Sequence, residues 1–139
     1  MIVNQLMTRD PACCTPETTL QDVARMMVEH DCGEIPIVRG RHDKRLVGVV
    51  TDRDIVCRTV ARGTNPLTVT AQDCMSTPVV TVTPDTTLED CVEVMEEHQI
   101  RRVPVVDATG MCCGIVAQSD IAKRAPEEDT ADLVKEVSR

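Results

Sequence analysis

No phenylalanine, tyrosine or tryptophan occurs in the 139 residues. A core must therefore be closed by Val, Ile, Leu, Met, Ala and Cys, and stacking of bases on aromatic platforms, the usual mode of single-strand nucleic-acid binding, is excluded. A cationic surplus is also missing: the formal net charge is −8. That charge opposes association with a phosphate backbone, so neither DNA nor RNA is expected as a partner. No apolar run approaches the roughly 18 residues of a membrane span. The opening MIVNQLMTRD has no charged-then-apolar export signal, so the expectation is a cytoplasmic protein with no membrane partner. A Ser-His-Asp set, metal-ligand spacing and a Walker loop are absent too. The chain thus reads as non-enzymatic, with no catalytic residue, metal or catalytic cofactor expected.

What charge there is lies unevenly. Residues 1–68 carry 9 Lys/Arg and 9 Asp/Glu, whereas residues 69–139 carry 6 and 14. The whole negative excess belongs to the second half, and an anionic ligand should favour the first half or local basic residues in the second.

The chain repeats itself with an offset of 68. Residues 15–30, TPETTLQDVARMMVEH, lie over 83–98, TPDTTLEDCVEVMEEH, and 12 of 32 positions are identical between 7–38 and 75–106. The offset then becomes 66, because the connection RGRHDKR at 39–45 is two residues longer than DATGM at 107–111. Gly48 and Gly114, Asp54 and Asp120, and Ile55 and Ile121 keep that frame.

Each copy predicts the same order of elements. A short extended segment (12–15; 79–83) meets a proline, and a helix follows. Thr18 with Gln21, and Thr86 with Glu89, have capping-box spacing. The helix faces are Leu20, Val23, Ala24 and Met27, and Leu88, Cys91, Val92 and Met95, at helical spacing. β-rich runs at 35–38 with 46–50, and at 103–106 with 112–116, predict hairpins. A second helix opens near Asp52 and ends at Gly63, and its counterpart opens near Ser119 and stops before Pro126. The fold class is α+β, with repeats at 1–68 and 69–126 and a helical tail at 127–139. A unit of about 60 residues is marginal alone, so the two are expected to pack together with pseudo-twofold symmetry, leaving clefts between them where a small molecule could bind.

The order strand, helix, strand, strand, helix in tandem, with GVVTDRDI at 48–55, GIVAQSDI at 114–121 and EEHQIRRVPVVD at 96–107, resembles a pair of CBS domains, a Bateman module. It is similar in particular to small stand-alone bacterial proteins made of two such domains. The resemblance spans roughly residues 5–125. It implies a regulatory sensor of an adenosine-containing ligand (AMP, ADP, ATP or S-adenosylmethionine), paired through its helices as a homodimer and acting on an unknown downstream protein.

At Gly48-Val-Val-Thr51-Asp-Arg-Asp54 a strand runs into a helix start, whose free N–H groups could hold phosphate, with the Thr51 hydroxyl as a further donor. Asp54 could accept two hydrogen bonds from a ribose diol; the plain alternative is that Thr51 and Asp54 only cap the helix. In the second copy Ala117 replaces the Thr while Asp120 remains, which argues for the ligand reading, and the resemblance makes Asp54 and Asp120 the ribose-contact positions. It also implies that Arg101 and Arg102 reach the phosphates of a nucleotide held by Asp54. Their counterparts are Gly33 and Glu34, so the Asp120 site is expected to be the weaker. Ion pairing of the arginines with Glu96 and Glu97 is the alternative. Adenine would lie between aliphatic side chains, from Val80 or Val82 and from Val49 or Val50.

Eight cysteines invite a metal or redox reading, but no C-x-x-C occurs, and the pairs Cys13-Cys14 and Cys112-Cys113 fall in strands, where neighbours face opposite ways. Cys14, Cys32, Cys74, Cys91, Cys112 and Cys113 lie opposite Val82, Ile100, Leu6, Val23, Leu46 and Val47 in the repeat. They read as small apolar filler. A thiol-based redox or zinc-responsive sensor, recruiting His30, His42 or His98, is the competing function. Met26, Met27 and Met95 suit either ordinary core or adaptable packing at a dimer surface.

Overall fold

The computed structural model describes residues 1–124; the tail expected at 127–139 lies outside the described residues. Ten helices and strands follow in chain order: β1 (Thr8–Arg9), α1 (Leu20–His30), β2 (Glu34–Val38), β3 (Leu46–Thr51), α2 (Asp52–Arg58), α3 (Ala71–Cys74), α4 (Leu88–His98), β4 (Arg102–Val106), β5 (Cys112–Ala117) and α5 (Gln118–Arg124). The α+β class is as expected, and the order helix, strand, strand, helix from each long helix onward is present in both copies; the leading segments expected as strands make only single bridges, Cys14 to Ile37 and Val82 to Val105.

The helix caps fall one residue later than the spacing predicted. Thr19 and Thr87 are the N-caps, accepting from the N–H of Asp22 (3.2 Å) and Asp90 (3.1 Å). The reason is local: the Thr18 and Thr86 hydroxyls already accept from the N–H of Thr15 and Thr83, each at 3.0 Å, closing the turn around the proline. The next threonine is left to cap. Leu20, Val23 and Met27, and Leu88, Cys91 and Met95, are buried as the periodicity predicts, while Ala24 is exposed. Both helices end on a left-handed residue that is not glycine, Asp31 (φ 48°) and Gln99 (φ 53°). The first copy's second helix is shorter than predicted: α2 stops at Arg58, buried Thr59 turns its hydroxyl onto the Ile55 carbonyl (2.6 Å), and a 3-10 turn runs to Gly63.

Two compact units form, and they cut across the repeat boundary at 68/69. One comprises Ala12–Val79 with Gly110–Cys112; the other comprises Met1–Pro11, Val80–Thr109 and 113–124. The segment that leads each repeat thus packs in the unit of the other repeat. The bonds that hold it recur at the same offset of 68. In one unit Val3, Asn4 and Leu88 N–H donate to the carbonyls of Thr86, Pro84 and Met1 (2.8, 2.9 and 2.9 Å). In the other, Ala71, Gln72 and Leu20 N–H donate to Thr18, Pro16 and Val69 (2.8, 3.1 and 3.0 Å). The segments then extend along a sheet edge. β1 pairs antiparallel with β5, Thr8 opposite Ile115, in a sheet ordered β1-β5-β4. Ser76, at the position equivalent to Thr8, pairs with Val49 of β3, whose antiparallel partner is β2.

Each unit has its own aliphatic core. Val3, Leu6, Val82, Leu88, Cys91, Met95, Val103, Val105, Val116 and Ile121 fill one; Cys14, Leu20, Val23, Met27, Ile35, Ile37, Val50, Ala71 and Cys74 fill the other. Met27 and Met95 are therefore core rather than dimer surface, and Met26 packs against the second cluster. The glycines complete the fit. A Cβ on Gly114 would stand 2.6 Å from the Met7 sulfur and 3.0 Å from the Thr8 carbonyl oxygen, and one on Gly48 would stand 2.8 Å from the Met75 sulfur. With no ring available, a thioether laid over a bare Cα closes each unit.

Gly114→Ala is expected to lower the unfolding free energy in urea by about 1–3 kcal/mol through overpacking. Gly48→Ala should cost less, because only side chains must move, and Gly40→Ala, which meets nothing within 4 Å, should change little. Equal effects at all three positions would contradict the packing account.

Candidate functional site

Thr51 joins β3 to α2, and its side chain closes a reciprocal cap. The Thr51 hydroxyl accepts from the Asp54 N–H (3.0 Å), and Asp54 Oδ2 accepts from the Thr51 N–H (3.0 Å). The capping alternative is thus realised. It does not exhaust Asp54, because a carboxylate offers about four acceptor positions. Asp54 Oδ1 takes one more bond, from the Ser76 hydroxyl (3.2 Å). Ser76 Oγ in turn accepts from Arg58 Nη2 (3.2 Å), and Arg58 Nη1 donates to the carbonyls of Cys74 (3.3 Å) and Met75. Two acceptor positions on a half-buried, fixed carboxylate are left open.

Two expectations are corrected here. Ala117 does not abolish the cap in the second copy: the Ala117 N–H still donates to Asp120 Oδ2 (2.9 Å), so persistence of this Asp without the Thr is no argument against capping. The start of α2 also offers little to phosphate. Its N–H groups at Asp52, Arg53 and Asp54 are spent on the Gly33 carbonyl (3.0 Å), Asp52 Oδ1 (2.8 Å) and the Thr51 hydroxyl. With Asp52 and Asp54 in a first turn of a seven-residue helix, anions are disfavoured there.

The remaining predicted residues divide by unit. Gly48, Thr51 and Asp54 lie in one; Val80, Val82, Arg101, Arg102 and Asp120 lie in the other. Gly48 is buried under Met75, which accounts for it by packing alone. Val82 is core, bridged in parallel to Val105, and Val50 is fully buried as well, so neither has surface for an adenine; half-buried Val80 and Val49 do. Arg101 is exposed and Arg102 half-buried, and neither forms an ion pair among the described residues, with Glu96, Glu97 or any other acid. The Arg101 carbonyl accepts from the Gln118 N–H at the start of α5 (2.8 Å), which sets the pair beside the helix that carries Asp120.

Ser76 and Arg58 were missed by reading the sequence. The repeat lays Ser76 over Thr8, but Thr8 is exposed and has no described bond to Asp120, so the shared hydroxyl alone does not mark a site.

The chain matches the family described as CBS domain over residues 3–58 and again over 71–127. The chain belongs to the CBS domain family. Among its relatives, Hypoxic response protein 1 of Mycobacterium tuberculosis is 38% identical over 132 residues, 95% of this chain and 90% of that protein. The crystal structure of Hypoxic Response Protein I with two coordinated zinc ions superposes with a TM-score of 0.81 at 37% identity, covering 91% of this chain and 100% of the other. CBSX2, a CBS-pair protein from Arabidopsis thaliana, is solved in complex with AMP; it has a TM-score of 0.76 and 27% identity over 89% of this chain and 95% of its own. The CBS domain pair of the protein MJ0100, solved with 5-methylthioadenosine and S-adenosyl-L-methionine, gives 0.77 and 25% over 88% and 98%.

The described residues of this CBS pair do not fit a zinc ion. No group of three His, Cys, Asp or Glu among the described residues is arranged to hold a metal. Burial pushes the Cys14 thiol up to about 12 and Cys91 to about 11, and raises Cys74 with help from Asp73; zinc requires the opposite, a thiolate. Cys14, Cys74, Cys91 and Cys112 are buried, Cys32 and Cys113 pack against the cores, and Cys57 is exposed on α2.

The raised thiols carry a pH dependence. Below the ordinary thiol value near 9 they are protonated in both states. Above it the unfolded chain releases protons that the folded chain keeps, so stability falls as pH rises from about 9 toward 11, by up to about 1.4 kcal/mol per pH unit for each thiol. The variant Cys14→Val/Cys91→Val, which places at each position the residue of the other repeat, is expected to show a shallower decline in urea titrations. An unchanged slope would contradict it.

Proposed function

We propose that this CBS pair is a non-enzymatic regulatory module that binds an adenosine-containing ligand and signals by a change in conformation or in affinity for a downstream protein. Asp54 takes the ribose hydroxyls, and Arg101 and Arg102 meet the phosphates. The observation that carries this is the state of Asp54: a carboxylate fixed by the Thr51 N–H and the Ser76 hydroxyl with two acceptor positions still open. Two adjacent arginines with no ion-pair partner among the described residues, in an otherwise acidic half, support it, as does the occurrence of AMP and S-adenosyl-L-methionine in the related CBS pairs. Asp120, held by a single described bond, is the second ribose position of the proposal. Val80 and Val49 remain as adenine contacts. Pairing with a second copy belongs to the same reading, and exposed Val56, Val60 and Leu67 are apolar surface that such a contact would cover. A ligand shifts a partner's affinity only as far as it prefers one shape, and the effect is reciprocal.

Because the chain has no Trp or Tyr, strong absorbance near 260 nm in the purified protein would report a bound base directly. Calorimetric titration with AMP, ATP and S-adenosylmethionine is expected to show binding that Asp54→Ala weakens by about 10-fold or more, the worth of hydrogen bonds to a charged acceptor. Arg101→Ala/Arg102→Ala should weaken ATP more than S-adenosylmethionine, which has no phosphate. Binding by Asp54→Ala equal to the parent for every ligand would overturn the assignment.

A further inference from the structure

Besides its backbone bonds, the segment that leads the second repeat is fastened to the first unit by a chain of side-chain bonds through Ser76. Arg58 can only donate, so the Ser76 oxygen that receives its Nη2 must spend its single proton elsewhere, and that proton goes to Asp54 Oδ1. The polarity of the chain Arg58 to Ser76 to Asp54 is thereby fixed. Arg58 also clasps the carbonyls of Cys74 and Met75, and Ser76 exchanges both backbone bonds with Val49, N–H to O at 2.8 Å one way and 3.2 Å the other. In the other unit the equivalent Thr8 is exposed, and Asp120 has no described bond to it.

We propose that Ser76, aimed by Arg58, is a positioning residue for Asp54, and that this chain of bonds couples a ligand at Asp54 to the segment connecting the two repeats. The inference rests on the reading of Asp54 as the ribose acceptor. Ser76 holds Oδ1 while Thr51 holds Oδ2, so the carboxylate is oriented before any sugar arrives, and its remaining lone pairs point away from both. By linkage, whatever Ser76 adds to ligand affinity the ligand returns as firmer attachment of residues 74–76. Occupancy is thus felt where the chain passes from one repeat to the next. Asp120 lacks this support, which makes the two aspartates unequal for a reason independent of nearby charge.

Two readouts on the full chain test this. Without ligand, amide hydrogen exchange at Ser76 is expected to be about 10-fold or more faster in Asp54→Ala than in the parent, because the substitution removes the charged acceptor of the Ser76 hydroxyl. The Asn4 amide, bonded to Pro84 in the other unit, should be unchanged. With AMP as the probe, Ser76→Ala should bind about 5-fold more weakly, Ser76→Thr should retain parent affinity, and AMP should slow exchange at Ser76 in the parent. Unchanged exchange in Asp54→Ala overturns the coupling. AMP affinity in Ser76→Ala equal to the parent, with Asp54→Ala still impaired, overturns the positioning role and leaves the ligand reading intact. Absence of AMP, ATP and S-adenosylmethionine binding by the parent, whatever the exchange shows, overturns the ligand reading and the positioning role with it.

Discussion

The structure depends on two thioethers laid over two glycines. Met75 on Gly48 and Met7 on Gly114 are where the segment leading each repeat meets a strand of the other's unit, and a Cβ there would stand 2.8 Å and 2.6 Å from the sulfur. A chain without aromatic rings has few ways to cover a strand of a small sheet; an unbranched sulfur side chain over a bare Cα is one of them. The consequence reaches the backbone, because these contacts seat Thr8 against Ile115 and Ser76 against Val49. Neither repeat is a self-contained stretch of sequence.

That crossing brings a serine from residues 74–76 to the start of α2, where the aspartate of the Thr-x-x-Asp turn waits. The same two residues therefore serve folding and the proposed recognition at once. Thr51 and Asp54 satisfy each other's backbone N–H, which is capping, and with the Ser76 hydroxyl on Oδ1 about half of the carboxylate's acceptor capacity is still unspent. In the proposed reading, capping and ligand binding use different lone pairs of one carboxylate and do not compete. The amides that cap α2 are in turn lost to any phosphate, which is why the proposal gives phosphate recognition to Arg101 and Arg102, a pair with no ion-pair partner among the described residues.

Much of the fold was legible because it is written twice. The offset of 68 located both hairpins and both long helices, and the apolar positions at helical spacing, Leu20, Val23 and Met27, are buried as expected. The caps were misplaced by one residue because two threonines stand in line, and which of them caps depends on a turn around Pro16 and Pro84 that spacing alone does not show. The crossing of the leading segments was invisible for a deeper reason: Met7 and Met75 are equivalent residues, so each would suit either strand, and periodicity says nothing about which copy a segment joins. At the candidate site, Asp54 and the arginines were proposed from repeat and resemblance. Ser76 and Arg58 were not, since a lone serine near a repeat junction carries no pattern until the carboxylate it faces is known. Val82 was drawn to the site by its place in an extended segment, yet its parallel bridge to Val105 turns it into the core.

The central claim, that each leading segment crosses to the unit of the other repeat, is open to one direct observation. With methionine methyls labelled, nuclear Overhauser contacts should link the Met7 methyl to the Gly114 α-protons and the Met75 methyl to those of Gly48. Contacts from Met7 to the first repeat's Gly48 instead, with none to Gly114, would contradict it.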